Sequence, residues 1–101
     1  METVFVLYRS NSGDFRFDRD YFESVHLPLV RGAWARHGLV SSTAVYPAGE
    51  GDLVAVAVNE FRDRQAARDA FNSPESEEVM NDIVRYTDLT PSRLRGVSFT
   101  Y

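Results

Sequence analysis

The sequence predicts one ferredoxin-like α+β domain of the β-α-β-β-α-β kind, in which a four-stranded antiparallel sheet carries its helices on one face. Three observations point there. The 101 residues suffice for a single domain, spanning 1–101, and not for two. Apolar periodicity alternates, in that order, between the two-residue repeat of strands and the 3.6-residue repeat of helices. Turn-forming residues fall at the junctions, with no repeats, linkers or low-complexity tracts. A domain of this size buries roughly 60–65% of its unfolded surface, so it holds one core.

Thr3 to Arg9 is rich in β-branched and aromatic residues and alternates only weakly, as a strand buried on both faces does. Ser10 to Asp14 is turn chemistry. Asp18 is placed to cap a helix whose apolar stripe is Tyr21, Phe22, Val25, Leu29, Val30, Ala33 and Trp34. Pro28 interrupts that stripe, because an interior proline lacks an N–H and clashes with the carbonyl four residues back. The expectation is a kink near His26, or two abutting helices with Pro28 in the first turn of the second. Gly38 ends the helix, with His37 in its last turn.

Leu39 to Tyr46 and Leu53 to Phe61 read as strands joined by a hairpin turn over Pro47 to Asp52. In the second of these, Val54, Val56, Val58 and Glu60 share one face; Leu53, Ala55, Ala57, Asn59 and Phe61 share the other. Asp63 is placed to cap a helix with Ala66, Ala67, Ala70 and Phe71 on one side. Ser73-Pro74 reads as a new N-cap followed by proline at the first helical position. Glu75, Glu77 and Glu78 follow where the helix dipole favours acids, and Val79, Met80, Ile83 and Val84 form the expected buried stripe. Pro91 to Thr100 is the last strand. Helices on one face leave the other apolar face of the sheet uncovered, and a second copy of the chain is the expected partner.

Composition narrows the function. The net charge is −4 and the arginines are scattered among acids, which argues against a nucleic-acid partner and against anionic membranes. There is no cysteine, so no disulfide, thiolate nucleophile or thiolate metal site. Every basic residue is arginine, which excludes a lysine Schiff base and covalent pyridoxal phosphate. With only 2 histidines, a metal centre would need carboxylates as well. The N-terminal apolar run is too short for a signal peptide, and no segment approaches the ~20 apolar residues of a membrane helix. The expected location is the cytoplasm, the expected partner besides a second copy is a small molecule, and no cofactor is expected.

The run Asp18-Arg-Asp-Tyr-Phe-Glu-Ser-Val-His26-Leu-Pro28-Leu-Val30-Arg31 resembles the EthD-like branch of the dimeric α+β barrel superfamily. Phe61-Arg-Asp, Ala70-Phe-Asn-Ser-Pro-Glu75 and Tyr86-Thr-Asp88 continue the resemblance in order, so that it covers nearly the whole chain. It implies a ferredoxin-like dimer with a pocket between sheet and helices in each subunit. Relatives include lactone isomerases, polyketide cyclases, decarboxylases or dehydratases, and cofactor-independent oxygenases. His26 matches the histidine most characteristic of the family. Val58 stands where relatives often carry a polar residue on the third strand, which argues against a strand carboxylate.

His26 is the leading catalytic candidate, since a histidine titrates near neutrality and serves as both base and acid. The competing reading is a histidine that only secures the backbone at the kink. Tyr21 could polarise a carbonyl, although five residues is about 500° around an ideal helix and does not stack it on His26. Its bland alternative is a core aromatic with a surface hydroxyl. Asp88, which the resemblance places beside the pocket, could orient His26 or simply cap a turn. Trp34, Tyr46 and Tyr86 are candidate substrate contacts, with core or interface packing as the alternative. Arg31 could bind a carboxylate or make an exposed salt bridge. His37, eleven residues from His26, is too far for a metal pair and reads as a helix C-terminal cation.

The leading reading is a cofactor-independent acid/base enzyme for a small cyclic or aromatic carbonyl compound, acting by isomerisation, cyclisation, dehydration or decarboxylation. Two alternatives stand beside it: cofactor-free oxygenation of a phenolic substrate, and a non-catalytic ligand-binding or stabilising subunit. A haem-degrading relative rests on the superfamily fold alone.

Overall fold

The computed structural model describes residues 1–101. Four strands form one antiparallel sheet in the order β2-β3-β1-β4, with β1 Glu2–Arg9, β2 Leu39–Val45, β3 Leu53–Phe61 and β4 Ser92–Val97. β1 is central, paired with β3 on one side and β4 on the other, which is why its sequence lacks a polar face. The helices, α1 Arg19–Tyr21, α2 Leu27–Trp34, α3 Arg64–Phe71 and α4 Ser76–Asp82, cover one face. Val4, Val30, Trp34, Leu39, Phe61 and the alanines of α3 form the main core.

The Pro28 expectation resolves into a specific device. Between α1 and α2 the chain makes a π-helical turn over Phe22–His26, in which the Leu27 N–H donates to the Phe22 carbonyl five residues back. Pro28 then lies in the first turn of α2, where its missing N–H costs nothing. The wider turn rotates the register. His26 is buried at 4% exposure, and Val25, which an uninterrupted stripe would bury, is 44% exposed.

Both aspartate caps form as expected, Asp18 accepting from the Tyr21 N–H at 3.1 Å and Asp63 from the Ala66 N–H at 2.8 Å. Gly38 ends the 3₁₀ turn Ala35–His37 at φ 105°, and a Cβ there would lie 2.6 Å from Ala66 Cβ. A glycine is required on both counts.

Three expectations need correction. Ser73 is not a helix cap. Its hydroxyl donates to the Ala70 carbonyl at the end of α3, and α4 begins at Ser76. The buried stripe of α4 is Ser76, Val79 and Asp82, whereas Met80 is 40% and Val84 71% exposed. The last strand closes at Val97, not Thr100, because β1, its partner, ends at Glu2 opposite Val97.

Alternation sorts the two sheet faces. Val6, Tyr8, Ala57 and Asn59 face the helices and line an internal cavity. Phe5, Leu7, Val56, Val58 and Leu94, paired across neighbouring strands, lie on the face away from the helices, where Leu94 is exposed, Phe5, Leu7 and Val58 are half-buried and Val56 is buried. No helix is long and apolar enough to cross a membrane.

Candidate active site

Between the sheet and the helices lies a cavity of about 240 Å³, walled mostly by apolar side chains. His26, Tyr8, Asn59 and Arg93 supply its polar groups. Few polar groups converging in an apolar hollow is the usual make-up of a small-molecule site. The volume exceeds the ~150 Å³ that holds benzene and falls short of the ~300–1,000 Å³ of drug-sized pockets.

His26 is held from three sides. Its Nδ1 lies 2.9 Å from Asp82 Oδ2. The ring stacks on Phe22 at 5.8 Å between centroids and 16° between planes, and Tyr86 packs against it at 4.6 Å. Burial pushes the His26 pKa below its ordinary value, and the Asp82 carboxylate only partly offsets this. The ring is therefore neutral near pH 7. Burial alone would raise the Asp82 carboxyl, but hydrogen bonds from Tyr21 and His26 outweigh it and hold that pKa below the ordinary value. An ionised Asp82 only accepts, so Nδ1 must carry the proton and Nε2 the lone pair. His26 borders the cavity and Asp82 does not, which leaves the Nε2 edge of the ring for a ligand.

The carboxylate is itself anchored. Tyr21 donates its hydroxyl to Asp82 Oδ1 at 2.7 Å, and Arg85 Nε lies 3.7 Å from the same oxygen. Tyr21 and His26, which α-helical geometry would splay apart, meet on one carboxylate where the π turn's hydrogen bond spans five residues rather than the four of an α-helix. Tyr21 and Asp82 line a separate open groove, so the His26–Asp82 bond runs between a cavity residue and a groove residue.

Asp88 does not reach His26. It is exposed and accepts from the Arg16 N–H at 3.0 Å, tying the segment before α1 to the segment between α4 and β4. The Arg16 guanidinium donates to the Val84 and Arg85 carbonyls, and the Asp18 N–H donates to the Tyr86 carbonyl. These bonds set α1, and hence Tyr21, against Asp82. The orienting carboxylate is Asp82, which sequence reasoning missed. Its signal was an acid at helical spacing from Val79 on an otherwise buried stripe.

Trp34 lines the cavity, its indole N–H donating to Ser76 Oγ at 3.0 Å. Tyr86 is fully buried behind His26, with its hydroxyl 2.6 Å from that of Tyr8, so Tyr8 is the phenol that faces the cavity. Burial pushes the Tyr8 hydroxyl up to about 12, so it remains protonated. Tyr46 lies outside the cavity, donating to Glu23 at 2.6 Å under the Arg19 guanidinium. Arg31 is exposed and apart from it. His37 pairs with Glu75 at 3.3 Å. On β3, Val58 faces away from the helices, and the polar residue of the cavity wall is its neighbour Asn59, whose Oδ1 accepts from Ser42 at 2.7 Å.

The strand order and the one-sided helices are shared with solved structures of low sequence identity, which have the same fold. An EthD-like protein from Ralstonia eutropha has that fold with a TM-score of 0.79 at 23% identity, over 94% of this chain and 88% of its own. An ethyl tert-butyl ether D family protein from Bacillus halodurans matches with a TM-score of 0.72 at 18% identity, over 98% and 99% of the two chains. SnoaB, a cofactor-independent oxygenase from Streptomyces nogalater, matches with a TM-score of 0.68 at 18% identity, over 99% and 95%. No family model matches the chain, and no curated protein matches its sequence.

Proposed function

We propose that the protein is a cofactor-independent acid/base enzyme acting on a small cyclic or aromatic carbonyl compound. The observation that carries this is a buried His26 held at 2.9 Å by a buried carboxylate, beside an apolar cavity of about 240 Å³. An oriented base next to a water-poor hollow is the arrangement proton abstraction needs. His26 Nε2 takes a proton from the carbon next to the carbonyl. The electron pair of that C–H bond forms the carbon–carbon double bond, and the carbonyl π pair moves to oxygen as an enolate. The neutral hydrogen-bond donors among the cavity's lining residues are Tyr8 and Asn59, and one of them meets that oxygen. Asp82 stabilises the imidazolium until the proton returns at another carbon, giving isomerisation, or leaves with a hydroxyl, giving dehydration.

The same site supports a second reading, favoured by the structural likeness to a cofactor-independent oxygenase. There His26 deprotonates a phenol, and the electron-rich phenolate reacts with O₂.

The active form in this reading is a homodimer. On the sheet face away from the helices Phe5, Leu7 and Val58 are half-buried and Leu94 is exposed, and Val97 and Phe99, at and beyond the end of β4, are each 81% exposed. Two copies packed face to face remove that surface from water, and closed two-fold dimers are the commonest way to do so.

The test compares wild type with His26→Ala on polyketide-like, lactone and phenolic compounds, with products read by mass spectrometry and folding by circular dichroism. Conversion by wild type alone assigns the base. An unchanged mass then denotes isomerisation, loss of water or CO₂ denotes a lyase, and added oxygen with O₂ uptake denotes the oxygenase. Equal conversion by a folded variant defeats the acid/base assignment.

A further inference from the structure

Beside the cavity runs a second hollow of about 380 Å³, between α3 and the edge strand β4, and its polar walls are mainly arginine. Arg64 and Arg68 come from α3, Arg93 and Arg95 from β4. Arg95 is paired with Glu2 at 2.8 Å, the one acid in this wall. Arg64, Arg68 and Arg93 make no ion pair. Asp69, the only acid within α3, accepts from Gln65 instead. Arg64 and Arg68 stand one helical turn apart, where like charges repel. In a chain of net charge −4, four arginines against one acid make this a local positive field.

The two hollows share Phe71 and Arg93. The Arg93 guanidinium lies 4.6 Å from the Phe71 ring centroid, and Phe71 packs edge-on against Trp34 at 4.8 Å. Apolar wall and cation are thus contiguous.

We propose that cavity and cleft are one site, and that its ligand is an aromatic or cyclic carboxylate whose ring fills the cavity and whose carboxylate lies against Arg93, with Arg64 and Arg68 behind it. This deepens the catalytic reading by naming a substrate class, and it rests on that reading for the claim that the ligand is turned over. A planar guanidinium suits a carboxylate because two N–H groups meet two oxygens.

The experiment is calorimetric titration of 2-naphthoate and of its uncharged amide, 2-naphthamide, into wild type, Arg93→Met, Arg64→Met/Arg68→Met and, as a control outside the cleft, Arg31→Met. The expected result is roughly tenfold or greater preference for the carboxylate, weakening with added salt, lost in Arg93→Met, reduced in the double variant and kept in Arg31→Met. His26→Ala keeps the preference, so failure of the catalytic assignment leaves this result standing. Equal affinity for the two compounds, a preference that survives Arg93→Met, equal loss in Arg31→Met, or no binding of either compound overturns the proposal.

Discussion

His26 and Asp82 lie 56 positions apart in the chain and meet at 2.9 Å, the imidazole from a π turn before α2 and the carboxylate from the last residue of α4. Each shapes the other's protonation. The ring helps keep the carboxylate ionised, and the carboxylate fixes the tautomer that leaves Nε2 free to accept a proton.

Asp82→Asn keeps the shape and removes the charge. It takes away the one influence that holds the His26 pKa up against burial, so that pKa falls further. If the proposed acid/base role holds, the expected fall in turnover is on the order of 10²–10⁴-fold, the usual contribution of a positioned acid/base group. Proton NMR titration of the His26 ring measures the first effect and steady-state rates the second. An unmoved His26 titration refutes the pairing.

Stability falls with acid in two stages. The folded-state pKa of His26 is depressed, so its contribution is complete above the unfolded value near 6.5 and declines as pH drops toward the folded one. Asp82 is depressed as well, so its contribution is complete above the unfolded value near 3.9 and is lost below it. Thermal unfolding from pH 8 to 3 shows a Tm that begins to fall near pH 6.5 and falls again below about 4. His26→Gln removes the first stage and leaves a weaker second one, since Tyr21 and Arg85 still favour the Asp82 carboxylate.

Ser76→Ala leaves the Trp34 indole N–H buried without its acceptor, and Trp34 is 2% exposed. The cost is about 1–3 kcal/mol in urea unfolding. The same variant frees the Ala70 carbonyl from one of its two hydroxyl donors, and Ser73 still holds it.

Val58→Asp places a charge opposite Phe5 in the middle of the sheet face away from the helices. The expected outcome is that wild type sediments as a dimer at micromolar concentration and the variant as a monomer. A wild-type monomer that is fully stable defeats the dimer.

How much of this could be read from the chain differs by element. β3 was legible to the residue, because Leu53 to Phe61 alternates between two faces and is bounded by turn chemistry. The caps at Asp18 and Asp63 were legible because a cap depends on groups two or three positions away. The break at Pro28 was legible as a break, but its form was not. Whether the chain kinks, restarts or widens by one residue depends on what the turn packs against, and here Phe22 and Tyr86 hold His26 inward. Met80 and Val84 misled because apolar residues on a short helix give two adjacent stripes, and contact with α2 selects one of them.

By itself the sequence determined what depends on neighbours along the chain: strand and helix order, caps, the glycine stop at Gly38, and His26 as the titratable group at a helix irregularity. Tertiary structure alone decided which carboxylate serves that histidine. Asp82 and Asp88 differ by six positions and carry the same chemistry. One is turned inward onto His26 and Tyr21, and the other outward onto Arg16. The reason is physical. A hydrogen bond between distant residues is set by how helices pack on the sheet, and that packing is a sum over the whole core that no local pattern contains.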